Sequence, residues 1–239
     1  MKIPIVDDLF ELFRGENFRP TTILLTSVVA LVTWKTAGSQ AFFHRHLADR
    51  IALGVDPVEA AAWYQMGLGL VLLGIVPAVV LRFVCKVPLA SAGLGRGSLA
   101  RSLTLFALVL PFILWISHDT AAVGEFRDVY PFNRAAGQST RAFAVHVLML
   151  GLLYLGWEFH FRGFLQQGLA GSLGASAGVW VQVLASALMH FDRPEVELWA
   201  SVPAGLLWGL QANYTRAIWT GFAQHWLLGA TLDYFICFG

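Results

Sequence analysis

The stretch Gly156-Trp157-Glu158-Phe159-His160-Phe161-Arg162-Gly163-Phe164 decides the fold, because it sets a carboxylate, an imidazole and a guanidinium inside an apolar run from Arg141 to Ala170. A charged side chain at the centre of a bilayer costs roughly 2.5–3.5 kcal/mol on the insertion scale, so a membrane sequence that holds two is using them. Glu158 and Arg162 stand four apart, one turn from each other on one helical face, and Gln166 extends that stripe by another turn. His160 points away from the stripe. A Glu–Arg pair that only staples a transmembrane helix is the plain alternative, and the functional reading outweighs it because ionisable residues within a membrane are rare and costly.

Hydrophobic residues make up 57% of the 239-residue chain and charged residues 13%, against about 25% charged in soluble domains. That composition is an integral membrane protein's, with the lipid bilayer as its first partner. No alternating strand pattern is present, so the expected fold is all-α, a polytopic bundle of about seven transmembrane helices forming one membrane-embedded domain over residues 1–239. The net charge of +1 and the lack of a basic block exclude nucleic acid as a partner. Cys85 and Cys237 make neither a disulfide framework nor a metal-ligand pair.

Outward from the central helix, residues 1–19 mix Asp7, Asp8, Glu11 and Glu16 with Leu9, Phe10, Leu12 and Phe13, which predicts an N-terminal interfacial helix. The first span starts at Pro20 and is expected to serve as the targeting signal, with no cleavable leader before it. Residues 38–56, with His44, Arg45, His46, Asp49 and Arg50 between Phe42, Phe43, Leu47 and Ile51, read as a second surface segment. A second span covers Pro57 to Val84 and ends in a basic patch of Arg82, Lys86, Arg96 and Arg101, which the positive-inside rule puts in the cytoplasm. A third covers Ser102 to Ile116, followed by a polar loop from Ser117 to Gln138, and Ser139 or Thr140 can cap the central helix. The fifth runs from Ala175 to His190, the sixth starts at Pro194 after the charged turn Phe191-Asp192-Arg193-Pro194-Glu195-Val196-Glu197, and the seventh starts near Ile218. In the last helix His225, Gly229 and Asp233 follow at i, i+4 and i+8 on one face.

Three apolar helices thus contribute one protonatable group each: Glu158, His190 and His225. A carboxylate with histidines in a water-excluded cavity can polarise a water for attack on a peptide carbonyl, Glu158 as general base and a histidine donating to the oxyanion. The same Glu158, His190 and His225 could instead bind zinc, although the His-Glu-x-x-His helix motif is absent. His146 and His160, without a partner at helical spacing, read as structural.

Glu158-x-x-x-Arg162-Gly163, a helix ending in Met189-His190 and a final helix with His225 resemble the CPBP group of intramembrane proteases, which includes the CAAX prenyl endopeptidases and bacteriocin-immunity-type relatives. The resemblance covers residues 130–235, taken as the catalytic-motif core, and looks like a bacterial branch in the inner membrane. It implies Glu158 in the acidic motif, Arg162 as its structural partner, His190 as the water-positioning residue and His225 as the oxyanion donor. It further implies a membrane protein or lipidated peptide as substrate, cleaved at a C-terminal sorting or anchor tail, without a cofactor or with zinc; the metal-free glutamate mechanism is preferred. Two positions depart from the family pattern: Trp157 stands where a first glutamate is usual and Gly229 where an asparagine is usual, with Asp233 the nearby polar substitute. Those departures favour the competing reading, a non-catalytic scaffold, chaperone or self-immunity protein on the same fold.

Overall fold

The computed structural model describes residues 4–50 and 54–239; the first three residues of the expected interfacial helix and Ile51 of the second surface segment lie outside the described residues. Helices form all the regular structure among the described residues, as backbone polar groups in hydrocarbon require. In chain order they are α1 (Pro4–Glu11), α2 (Phe18–Lys35), α3 (Gln40–His46), α4 (Pro57–Val84), α5 (Leu99–Ala121), α6 (Gly124–Val129), α7 (Thr140–Leu173), α8 (Ala175–Leu188), α9 (Glu195–Thr215) and α10 (Trp219–Phe238). Side-chain caps start several of them: Ser39 opens α3, Asp56 with Pro57 opens α4, Ser98 opens α5, and Ser139 accepts from the Ala142 amide to open α7.

All seven helices expected as spans are present, but fewer qualify as spans on their own. Three segments, Pro57–Val84, Ala90–Ala121 and Thr140–Leu173, are long and apolar enough to cross a membrane, and a fourth is added if the pieces Gly15–Lys35 and Gln40–His46, bent by 62°, count together. Helix α8 is apolar but only 14 residues long. Helices α9 and α10 have the length without the hydropathy, because they turn polar side chains such as Gln211, Gln224 and Asp233 into the protein rather than toward lipid. Two boundaries also move. Helix α5 continues to Ala121, past the expected loop start at Ser117, since Ser117 faces inward and bonds the Ile113 carbonyl and Thr231, each at 2.8 Å. Helix α8 stops at Leu188, so His190 lies in the turn that follows.

The core is built on α7. Every residue from Gly156 to Gln166 is buried, and the helix packs against α2, α4, α8 and α10. Over Phe159–Gln167 it loosens into π-type turns, a distortion frequent at functional sites. Close approach is set by glycine: a Cβ on Gly156 would lie 3.0 Å from Cα of Leu70 and 3.1 Å from the Gly69 carbonyl oxygen on α4. The outward faces carry Leu25, Val28, Val29 and Val32 on α2 and Leu103, Leu108 and Trp115 on α5, an apolar surface that a bilayer covers. Helix α1 likewise exposes Ile5, Leu9 and Phe10.

The crossing of α4 and α7 gives a direct test. Gly156→Leu should destabilise the protein by about 1–3 kcal/mol or more through overpacking, read as a lower thermal unfolding temperature in detergent. Gly67→Leu on the same α4 helix, where a Cβ meets nothing within 4 Å, should leave that temperature unchanged.

Candidate active site

The carboxylate of Glu158 is fully buried, and its Oε1 accepts from Nη1 of Arg162 at 3.1 Å and from Nδ1 of His225 at 2.8 Å. Three side chains from two helices therefore meet at one oxygen. The His225 ring lies between Tyr154, 4.1 Å away by centroid, and Trp208, 4.3 Å away. The Arg162 guanidinium sits over the Trp208 ring at 5.3 Å, and the Trp208 indole donates to Gln224 at 3.0 Å, which fixes that wall. The second oxygen of Glu158, Oε2, is buried without a partner beside Gly221, where a Cβ would come within 2.9 Å of it.

His190 enters from the turn after α8. Its Nδ1 donates to the Ser186 carbonyl at 2.7 Å; a carbonyl only accepts, so Nδ1 carries the proton and Nε2 of the neutral ring is an acceptor. Burial pushes this imidazole down to about 4, against the raising effect of the Ser186 bond, so the ring is neutral at pH 7. Its Nε2 lies 3.9 Å from Oε1 of Glu197 on α9, and Oε1 accepts from the Tyr130 hydroxyl at 2.7 Å. Burial pushes the Tyr130 phenol up, which keeps it a donor throughout the neutral range. Between the two histidines stands Trp157, edge-on to His190 at 5.6 Å and to His225 at 6.4 Å.

These groups line a cavity of about 400 Å³. One end is polar, with Arg162, His190, Glu197 and His225 on the wall; the flanks come from α5 and α9 and are apolar, including Val109, Phe112 and Leu207. Phe112, Val196 and Leu207 are also exposed, so the cavity opens toward the face that lipid covers. Of the four residues expected at the site, three are on this wall. Glu158 is not: its carboxylate stands behind the wall and reaches the cavity through Arg162 and His225.

Glu197 was not singled out in the sequence, where it belongs to a charged turn opening a helix. Its signal was an acidic residue in the first turn of a helix that follows His190 directly. Asp233, expected as a polar substitute near His225, instead bonds His146 at 2.7 Å, and both are buried. The space left by Gly229 is filled by Tyr154, whose ring and hydroxyl come within 2.7 Å of where a Cβ would be. His160 is structural, bonded to Ser27 at 2.7 Å.

Among the described residues no three His, Cys, Asp or Glu side chains are grouped so that they could hold a metal ion.

Residues 136–231 match the family model described as type II CAAX prenyl endopeptidase Rce1-like. No curated protein and no solved structure matches the chain.

The buried cluster predicts a coupling. Glu158→Ala should cost about 3–5 kcal/mol by leaving Arg162 unpaired in the interior. Adding Arg162→Met should recover much of that loss, measured as non-additive thermal unfolding of the two single variants and the double variant.

Proposed function

We propose, from the match of residues 136–231 to the Rce1-like model of type II CAAX prenyl endopeptidases, that the chain cleaves a peptide bond near the end of a lipidated or membrane-anchored protein tail. The observation that carries this reading is the mixed wall of one cavity, in which a hydrocarbon flank leads to Arg162, His190 and His225. A lipid chain would enter from the bilayer side past Phe112 and lie along α5 and α9, bringing the attached peptide to the polar end.

There His190 accepts a hydrogen bond from the attacking water at Nε2. Arg162 places positive charge where the carbonyl oxygen becomes an oxyanion, and His225, fixed at Nδ1, meets the substrate through Nε2. Glu158 acts through these two: it neutralises Arg162 and holds the His225 ring in one orientation. The proposed chemistry runs without a metal, in keeping with the lack, among the described residues, of three His, Cys, Asp or Glu side chains grouped to hold one. A bacterial inner membrane is the proposed setting.

The test uses purified protein in vesicles and a fluorogenic farnesylated peptide with three residues after the cysteine, beside its unlipidated twin. The lipidated peptide should be cleaved and the twin far more slowly. His190→Ala and His225→Ala should each lower kcat/KM by roughly 10²-fold or more, within the range for acid–base groups, while folded yield persists. Prior treatment with 1,10-phenanthroline should leave the rate unchanged. A wild-type protein inert toward both peptides would leave the non-catalytic scaffold reading in place.

A further inference from the structure

Two hydrogen-bond acceptors face each other across the polar end of the cavity. Nε2 of His190 has no proton, because Nδ1 holds it against the Ser186 carbonyl. Oε1 of Glu197, in the carboxylate form, has none either. Their separation of 3.9 Å is too long for a hydrogen bond between them. A donor placed between them can bond both lone pairs at once. A water about 2.8 Å from each atom, an ordinary hydrogen-bond length, spans the gap with one O–H directed at each acceptor.

We propose that Glu197 is the general base of the reaction and that it shares the attacking water with His190. The inference rests on the endopeptidase reading above and deepens it by naming the group that takes the proton.

Several observations besides the facing acceptors support it. Glu158 is held at Oε1 by both Arg162 and His225 and does not line the cavity, whereas Glu197 does. Glu197 also lines the narrow recess that continues from the cavity and is walled by Trp157, His190 and His225. Its side chain is 20% exposed, open enough for a water to reach Oε1, the oxygen that takes the proton. The Tyr130 hydroxyl fixes its orientation at 2.7 Å, and Arg193 braces Tyr130 from the other side at 5.5 Å from the ring centroid.

The step balances as follows. Glu197 takes one proton of the water while the second hydrogen stays on the oxygen, pointing at His190 Nε2. The water oxygen forms a bond to the peptide carbonyl carbon, and the π pair moves to the carbonyl oxygen beside Arg162. Collapse of that tetrahedral species breaks the C–N bond, and the leaving nitrogen takes the proton back from Glu197. Nothing is oxidised or reduced.

The plainer role for Glu197 is an anchor that ties Tyr130 to α9. Glu197→Gln, Glu197→Asp and Tyr130→Phe separate the two, assayed on the farnesylated peptide with thermal unfolding measured on each. As base, Glu197→Gln should lower kcat by roughly 10²-fold or more with KM unchanged within about threefold. Glu197→Asp should restore part of the rate, and Tyr130→Phe, which breaks the same anchor and loosens the carboxylate but keeps it, should lose far less than Glu197→Gln. Equal losses in Glu197→Gln and Tyr130→Phe, or a fully active Glu197→Gln protein, would overturn the proposal and leave the endopeptidase reading standing. If Glu197→Gln fails to fold, the comparison of Glu197→Asp with Tyr130→Phe decides it: an aspartate variant no slower than Tyr130→Phe overturns the base role. Wild-type protein that cleaves nothing fails the endopeptidase reading itself, and the base goes with it.

Discussion

The contact on which the structure depends is the bifurcated acceptance at Oε1 of Glu158. Two donors, one from a turn further along its own helix and one from α10, bond one oxygen of a carboxylate that has no access to solvent. Taking an acid and a guanidinium out of water costs several kcal/mol for each even after relaxation, and only good geometry repays it. The geometry in turn requires α7 and α10 to meet at one height and one rotation. Gly221 makes this possible, because a side chain there would strike Oε2. On the other side Gly156 and Gly74 let α4 and α7 touch backbone to backbone, which holds the π-type segment of α7 in place. Register in this bundle thus follows from a polar constraint at its centre and from contact too close for any side chain at its crossings.

Seen from the cavity, the site has two parts joined by Trp157. One part is the anchored set Glu158, Arg162 and His225, stiffened by Tyr154 and Trp208 stacked on either side of the imidazole. The other is the set Ser186, His190, Glu197 and Tyr130, built on a turn, the start of α9 and the segment before α7. The first part is closed to solvent and supplies fixed charge; the second is partly open and supplies acceptors. A hydrolytic site needs both kinds of environment. Charge stabilisation strengthens when water is excluded, whereas a nucleophilic water has to arrive from somewhere.

Much of this was legible in the sequence wherever the partners lie within one helix or the period is simple. Glu158 and Arg162 are i and i+4, and the helix containing them was delimited to within a few residues by its apolar run. Pairings between helices were not legible. His146 bonds Asp233, 87 positions away, and His160 bonds Ser27, 133 positions away, so each histidine looked partnerless from its own helix. Asp233 was misplaced for a geometric reason. Eight residues at about 100° each leave it some 80° round from His225, enough to aim it at α7 instead of the cavity. Glu197 escaped notice because the charges at the start of a helix read first as a solvated turn; only the fold shows that this turn closes over His190.

The two departures from the family pattern are linked through space rather than scattered. With glycine at position 229, the Tyr154 ring occupies the space a side chain would fill and lies against His225, an aromatic brace on the imidazole. With tryptophan at 157 there is no carboxylate at that position, and the indole stands edge-on to both imidazoles, 5.6 Å from His190 and 6.4 Å from His225 by centroid. Both positions line the cavity on α7 and α10, and both leave the Glu158–Arg162 and Glu158–His225 hydrogen bonds in place. This division has a physical basis. A buried ion cluster fails if any one member is removed, since the rest are left charged and unpaired. The wall of a cavity tolerates exchange as long as volume is filled, and Glu197 places a carboxylate on that wall from α9.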